Sequence, residues 1–381
     1  TVRRRQARLA DNLARLRPDT WEYQVVSVET APSTSTTSPF AQPQAQSAHA
    51  RVVLRYRLRP WTAGMVTRVQ QWTLQAGSGG WQLTDDGTGP GGPSEADLWD
   101  LAVVQVADGA RSLVITTAAS STQPGGTSLP PAQLVRQVDA AVHRVAQVWT
   151  QPWPQRVVLV APATTTQLAR LVAAPSDSVP TLGTDWSDIA ALTIGPPPGT
   201  ARPPDADQVV LNPQAWVTLT SLGQQVVLTH EVTHVATRAS ATRALPGWLT
   251  EGFADYVAYQ GTQLPATVLA ADALAAADTS PWTPFRPPSD AVLDGADGQP
   301  ELAYQASWLA VHAVASRWGP ERLVDWYATA ARLPLDRAPE ADEAVALATR
   351  QVLGVDPGVL PRVWQQELAA LVSHPPLVSV G

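Results

Sequence analysis

Leu9, Leu13 and Leu16 fall at helical spacing within an otherwise polar, arginine-rich opening segment, which predicts a helix over residues 1–16. After it the apolar period shortens to two. "TWEYQVVSVE", "ARVVLRYRLRP", "MVTRVQQWTLQA", "GWQLTDD" and "RSLVITTA" read as strands, with "GSGG" and "GTGPGG" as turn signals between the later ones. A Ser/Thr/Pro/Gln-rich loop occupies 31–48, and "TQPGGTSLPP" predicts a linker over 121–131.

Beyond the linker, Leu134, Val138, Val142, Val145 and Trp149 line one side of a predicted helix. "RVVLVAP" reads as a buried strand and "TTTQLARLVAA" as a helix that Thr164, Thr165 or Thr166 can cap. "DIAALTIG" and "DQVVLNP" read as two further strands, split by a Pro-rich loop. Helical patterning then fills 247–259, 264–277, 302–318, 320–331, 340–352 and 360–373. The predicted class is α+β. A curved antiparallel sheet with a helix spans 1–120; a second domain over 132–381 holds a small mixed sheet and helix in 132–244 and a helical lobe in 245–381.

Composition narrows the function classes. The net charge of -7 argues against a nucleic-acid partner, and every basic residue is an arginine. With no cysteine there is no disulfide, thiolate metal site or cysteine nucleophile. No apolar run reaches the length of a transmembrane helix. The chain opens on Thr1 rather than Met, which leaves room for a signal or membrane anchor outside the given sequence.

The candidate chemistry lies in "VVLTHEVTHVATR". On a helix His230 and His234 share a face and can offer both imidazoles to one metal ion. Glu231 is turned about 60° from His234, near enough to reach a water on that ion without ligating it. A catalytic zinc needs a third protein ligand and an open position. "LPGWLTEGFADYVAYQG" supplies Glu251, 17 residues after His234 and on the next predicted helix. Asp255 shares its face and suits the carboxylate that receives the second N–H of a ligand histidine. Ala254, Ala258 and the nearby Gly252 predict close packing of the two helices. The competing assignment is a buried helix with two hydrogen-bonded histidines, followed by an acidic surface helix.

"HEVTH" followed by "GWLTEGFADY" resembles the gluzincin zinc metallopeptidases, the clan of thermolysin-like enzymes and the large aminopeptidases. The resemblance extends over about 130–375 and implies a zincin-type catalytic domain. It assigns Zn2+ to His230, His234 and Glu251, the general base to Glu231 and the supporting carboxylate to Asp255. Residues 1–120 loosely resemble the NTF2-like domains that precede peptidase domains in some exported bacterial proteins, which implies an extracellular or cell-surface setting. After His234 the run "VATRAS" lacks the glycine and third histidine of the metzincins. The G-x-M-E-N signature of aminopeptidases is also missing, since the only methionine is Met65. An endopeptidase or an uncharacterised specificity, acting on a peptide or protein, is therefore expected in place of a classical aminopeptidase.

The clan stabilises its oxyanion with a Tyr or His from the helical lobe, which implies Tyr304, with His312 as the alternative. It also binds substrate as an added strand on a sheet edge, which implies Val209, Val210 and Leu211 of "DQVVLNP". His49, His143 and His374 are given no function. A binding or assembly module that keeps the scaffold but cleaves nothing fits the same residues, as does hydrolysis of a non-peptide ester or amide.

Overall fold

The computed structural model describes residues 2–30, 46–89, 92–118, 126–172, 189–196, 198–199, 206–279, 286–293 and 300–373. Most of the loop at 31–48, the first half of the linker, most of the Pro-rich loop before residue 206 and His374 lie outside them.

The fold is α+β, in three layers. Helix α1 (Val2–Leu16) precedes a meander of β1 (Thr20–Thr30), β2 (Ser47–Arg57), β3 (Val66–Gly77) and β4 (Gly80–Asp85), an antiparallel sheet in sequence order. Register shifts at Val25/Ser27 and Thr73/Leu74 bend it. The ladder of β5 (Thr88–Gly89) and β6 (Gly92–Pro93) and helix α2 (Leu98–Leu101) lead to β7 (Val104–Asp108) and β8 (Ser112–Thr117). Then come α3 (Pro131–Val148), β9 (Val157–Ala161), α4 (Thr165–Val172), β10 (Ala191–Ile194) and β11 (Gln208–Leu211). The rest is helical: α5 (Pro213–Thr218), α6 (Ser221–Arg238), α7 (Gly247–Tyr259), α8 (Ala266–Leu269), α9 (Ala271–Thr279), α10 (Asp290–Leu293), α11 (Pro300–Trp318), α12 (Pro320–Arg332), α13 (Ala341–Ala348) and α14 (Leu360–Ser373).

The second sheet has the order β10-β11-β9-β8-β7. Its three inner strands are parallel, and both edge strands run antiparallel to them. Side chains alternate between two cores. Val114, Val157, Leu159, Ala191, Val209 and Leu211 face the helical lobe. Leu113, Ile115, Val158, Val160, Leu192 and Val210 face the N-terminal sheet, where they meet Leu54, Tyr56 and Trp99. Burial on both faces explains why these strands read as continuous apolar runs.

Two expectations change here. The proposed division at 121–131 does not separate two sheets, because β7 and β8 precede it and β8 is hydrogen-bonded to β9. The sequence between Leu98 and Thr117 therefore belongs with the second sheet. Polar contacts join the layers as well. Buried Asn12 donates to the carbonyls of Trp99 (2.9 Å) and Ala102 (2.8 Å) and accepts from the Val104 amide (3.1 Å). Secondly, Val209, Val210 and Leu211 are not at an edge: β11 is paired on both sides, and all three residues are fully buried. The edge beside the motif helix is β10. His49 stands on β2, 3.2 Å from the Thr73 hydroxyl.

A chain starting at residue 132 removes the parallel neighbour of β9 and uncovers Val158, Val160 and Val210. It is expected to show no cooperative thermal unfolding, whereas the whole chain does; a sharp, wild-type-like melt of the short form would refute this. A second test concerns Asp100, whose carboxyl burial and the Asp97 charge push up to about 7. A carboxyl raised on folding opposes the fold as it ionises. The penalty is absent below the unfolded value of about 3.9 and grows as pH rises towards 7. Asp100→Asn should therefore gain melting temperature relative to wild type between pH 4 and 7; parallel curves would show that Asp100 does not titrate there.

Candidate metal centre

Helix α6 is capped by Thr220, whose hydroxyl accepts from the Gly223 amide at 3.1 Å. It packs against the helical-lobe face of the central sheet through Leu228, Val232 and Ala236, all fully buried. His230 and His234 lie one turn apart and half-buried, with rings 4.7 Å apart at 78°. Helix α7 lies against α6 and brings Glu251 to the same point.

Three ligand atoms converge. His230 Nε2 is 3.0 Å from His234 Nε2 and 3.2 Å from Glu251 Oε2, and the third side of the triangle is 3.4 Å. Two ligand atoms about 2.0–2.1 Å from a shared tetrahedral centre lie about 3.3 Å apart, so the triangle has the dimensions of one face of such a site. His230, His234 and Glu251 form a group that can hold a metal ion.

The surrounding bonds fit that use. Asp255, one turn after Glu251, lies 2.8 Å from His230 Nδ1 and takes its N–H, which turns Nε2 towards the other two residues. Once Nε2 is deprotonated, three electron-rich atoms face one point, an arrangement that can hold a cation. Burial opposes charge on His230, yet its bonds to Asp255 and Glu251 hold the imidazole well above its ordinary value, so a metal ion binding here would displace the Nε2 proton. Burial likewise opposes the Glu251 charge, but the two histidines hold that carboxyl well below its usual range. Tyr259, a turn beyond Asp255, has its phenol pushed up to about 12 by burial and by the Asp255 charge.

Close helix packing positions Glu251. A Cβ on Gly252 would overlap the Ser307 carbonyl and lie 3.0 Å from Val311 Cγ2, so this glycine lets α7 rest on α11. The small residue at 252 thus serves the α7–α11 contact rather than α6. Tyr304 sits one turn before Ser307, half-buried against the main core. His312, the alternative, is engaged elsewhere: its Nδ1 pairs with Glu367 of α14 at 3.0 Å, and its ring lies 4.7 Å from Trp308.

Glu231 is buried beside the cluster. The Thr193 hydroxyl on β10 donates to its carboxylate at 2.7 Å and approaches its carbonyl at 3.1 Å. Further along α6, Arg238 pairs with Asp207 (3.1 Å) and donates to the Pro196 carbonyl (2.8 Å), joining both ends of the loop after β10 to the helix. Gly195 is needed there, because a Cβ would overlap the Asp207 carboxylate. Tyr327 of α12 also lies close by, fully buried and bonded to Thr237; burial, and then the Glu251 charge, raise its phenol.

Thr193 and Tyr327 do not emerge from sequence reasoning. A trace of Thr193 is there in "AALTIG", where a lone hydroxyl interrupts a buried apolar strand on the face shared with Ala191. Tyr327 leaves no such trace, since an aromatic on an amphipathic helix reads as core.

No protein-family model matches the chain, and no curated protein matches its sequence. The Gly252→Ala variant should force α7 off α11. It should cost about 1–3 kcal/mol of stability in chemical denaturation and weaken metal binding in titration, because Glu251 is the adjacent residue. Unchanged metal affinity would separate the helix contact from the metal centre.

Proposed function

We propose that the protein is a zinc metallopeptidase of the gluzincin type, an endopeptidase that hydrolyses peptide bonds in an exported or cell-surface setting. The observation that carries this is the triangle of His230, His234 and Glu251 with Asp255 on His230 and Glu231 alongside. Two imidazole nitrogens and one carboxylate suit zinc, whereas calcium and magnesium favour all-oxygen sites. Three protein ligands leave a position for water, as a catalytic rather than a structural site requires.

When bound, zinc supplies Lewis acidity, drawing electrons from a water and from the scissile carbonyl. The work of the chain is to manage protons and position. Glu231 accepts a proton from the attacking water and returns it to the leaving amine. Asp255 keeps His230 oriented. Tyr304 is the proposed donor to the oxyanion, on a helix held against the Glu251 helix at Gly252. The peptide lies along β10, the edge strand next to Glu231.

The purified protein should hold about one zinc per chain and cleave members of a peptide library in a chelator-sensitive manner. Glu231→Gln should keep the zinc and lose about 10²- to 10⁴-fold in turnover. A zinc-loaded wild type that cleaves no peptide would instead favour a binding module on this scaffold. Failure to bind zinc would overturn both.

A further inference from the structure

We propose that Thr193 is a positioning residue for Glu231, and that the edge strand carrying it aligns the base as well as receiving the peptide. This rests on the metallopeptidase assignment.

A general base works only if its carboxylate holds one orientation relative to the water it deprotonates. A glutamate has three side-chain torsions, and helix geometry restrains mainly the first. Glu231 therefore needs a second anchor. Among the described residues, the side chain bonded to its carboxylate is Thr193, whose Oγ1 donates to Oε2 at 2.7 Å. That is the length of a charge-assisted hydrogen bond. The same Oγ1 lies 3.1 Å from the Glu231 carbonyl, so the hydroxyl sits against both the side chain and the backbone of the base.

Thr193 is itself well held. Its strand pairs with β11, with Thr193 opposite Val209, while Leu192 and Ile194 on the other face pack towards the N-terminal sheet. The threonine is therefore turned towards α6 by strand alternation. Beyond the strand, Arg238 of α6 contacts Pro196 and Asp207, the residues that flank the loop. The rail on which a peptide would dock and the base that acts on it are joined by one hydroxyl. With Oε2 taken by the hydroxyl, Oε1 would be the oxygen that meets the water.

Thr193→Val deletes the hydroxyl while keeping the β-branched shape that suits a strand, and Thr193→Ser keeps the hydroxyl. In the zinc-loaded protein Thr193→Val is expected to lower kcat about 10- to 100-fold, the range set by one charge-assisted bond to a base. KM and zinc content should stay at wild-type values, because docking uses the strand backbone and the ligands are untouched. Thr193→Ser should recover most of the lost kcat. Crystal structures of the two zinc-loaded proteins should show the Glu231 carboxylate displaced in Thr193→Val and not in wild type. Wild-type kcat in Thr193→Val, a serine variant as impaired as the valine, or an unmoved Glu231 would each overturn the proposal. If zinc-loaded wild type cleaves no peptide, the enzyme assignment fails, and the two crystal structures alone decide whether Thr193 positions Glu231.

Discussion

The bond between His230 and Asp255 joins the two helices on which the candidate site depends. Burying two imidazoles and a carboxylate together is unfavourable unless each polar atom has a partner. Asp255 settles one nitrogen of His230 and directs the other towards Glu251 and His234. Each helix must then be held from behind, or the convergence would relax. The central sheet holds α6, and α11 holds α7 at Gly252, where only a bare α-carbon fits under the Ser307 carbonyl.

The central sheet is the frame for this arrangement. Its strands are covered on one face by the helical lobe and on the other by the N-terminal sheet, so each inner strand is buried throughout. The N-terminal segment is therefore structural as well as whatever else it does. It covers apolar residues of β8, β9 and β11 that would otherwise face water. Tyr56 of the N-terminal sheet donates to Asp97 at 3.0 Å and lies 3.4 Å from the Gln208 amide at the start of β11, so a polar link also crosses this interface.

The proposed peptidase chemistry draws on three elements at once. Helix α6 carries the base and two ligands, α7 the third ligand and its supporting carboxylate, and β10 the hydroxyl against the base. The first two are helices with motifs that a reader can see in the chain. The third is four residues long, and its contribution depends on one side chain.

Helix periodicity made most of the metal group legible from sequence. His230 with His234, and Glu251 with Asp255, are pairs four residues apart, and their shared faces follow from 3.6 residues per turn whatever surrounds them. The α+β class and the succession of strands and helices were legible for the same reason, as local periodicity. What depended on contacts between distant segments was not. The linker-like composition at 121–131 suggested a boundary, but strand pairing crosses it, because hydrogen bonding between β8 and β9 leaves no local mark. Strand order put β10 rather than Val209–Leu211 at the edge; a buried inner strand and a buried edge strand look alike as apolar runs. Sequence by itself determined which residues share a helical face and can offer atoms to a metal ion, since this rests on geometry within one helix. Only the tertiary structure decided which strand lies against Glu231, that His312 turns to Glu367 and that Thr193 meets the Glu231 carboxylate, since each depends on how separate elements pack.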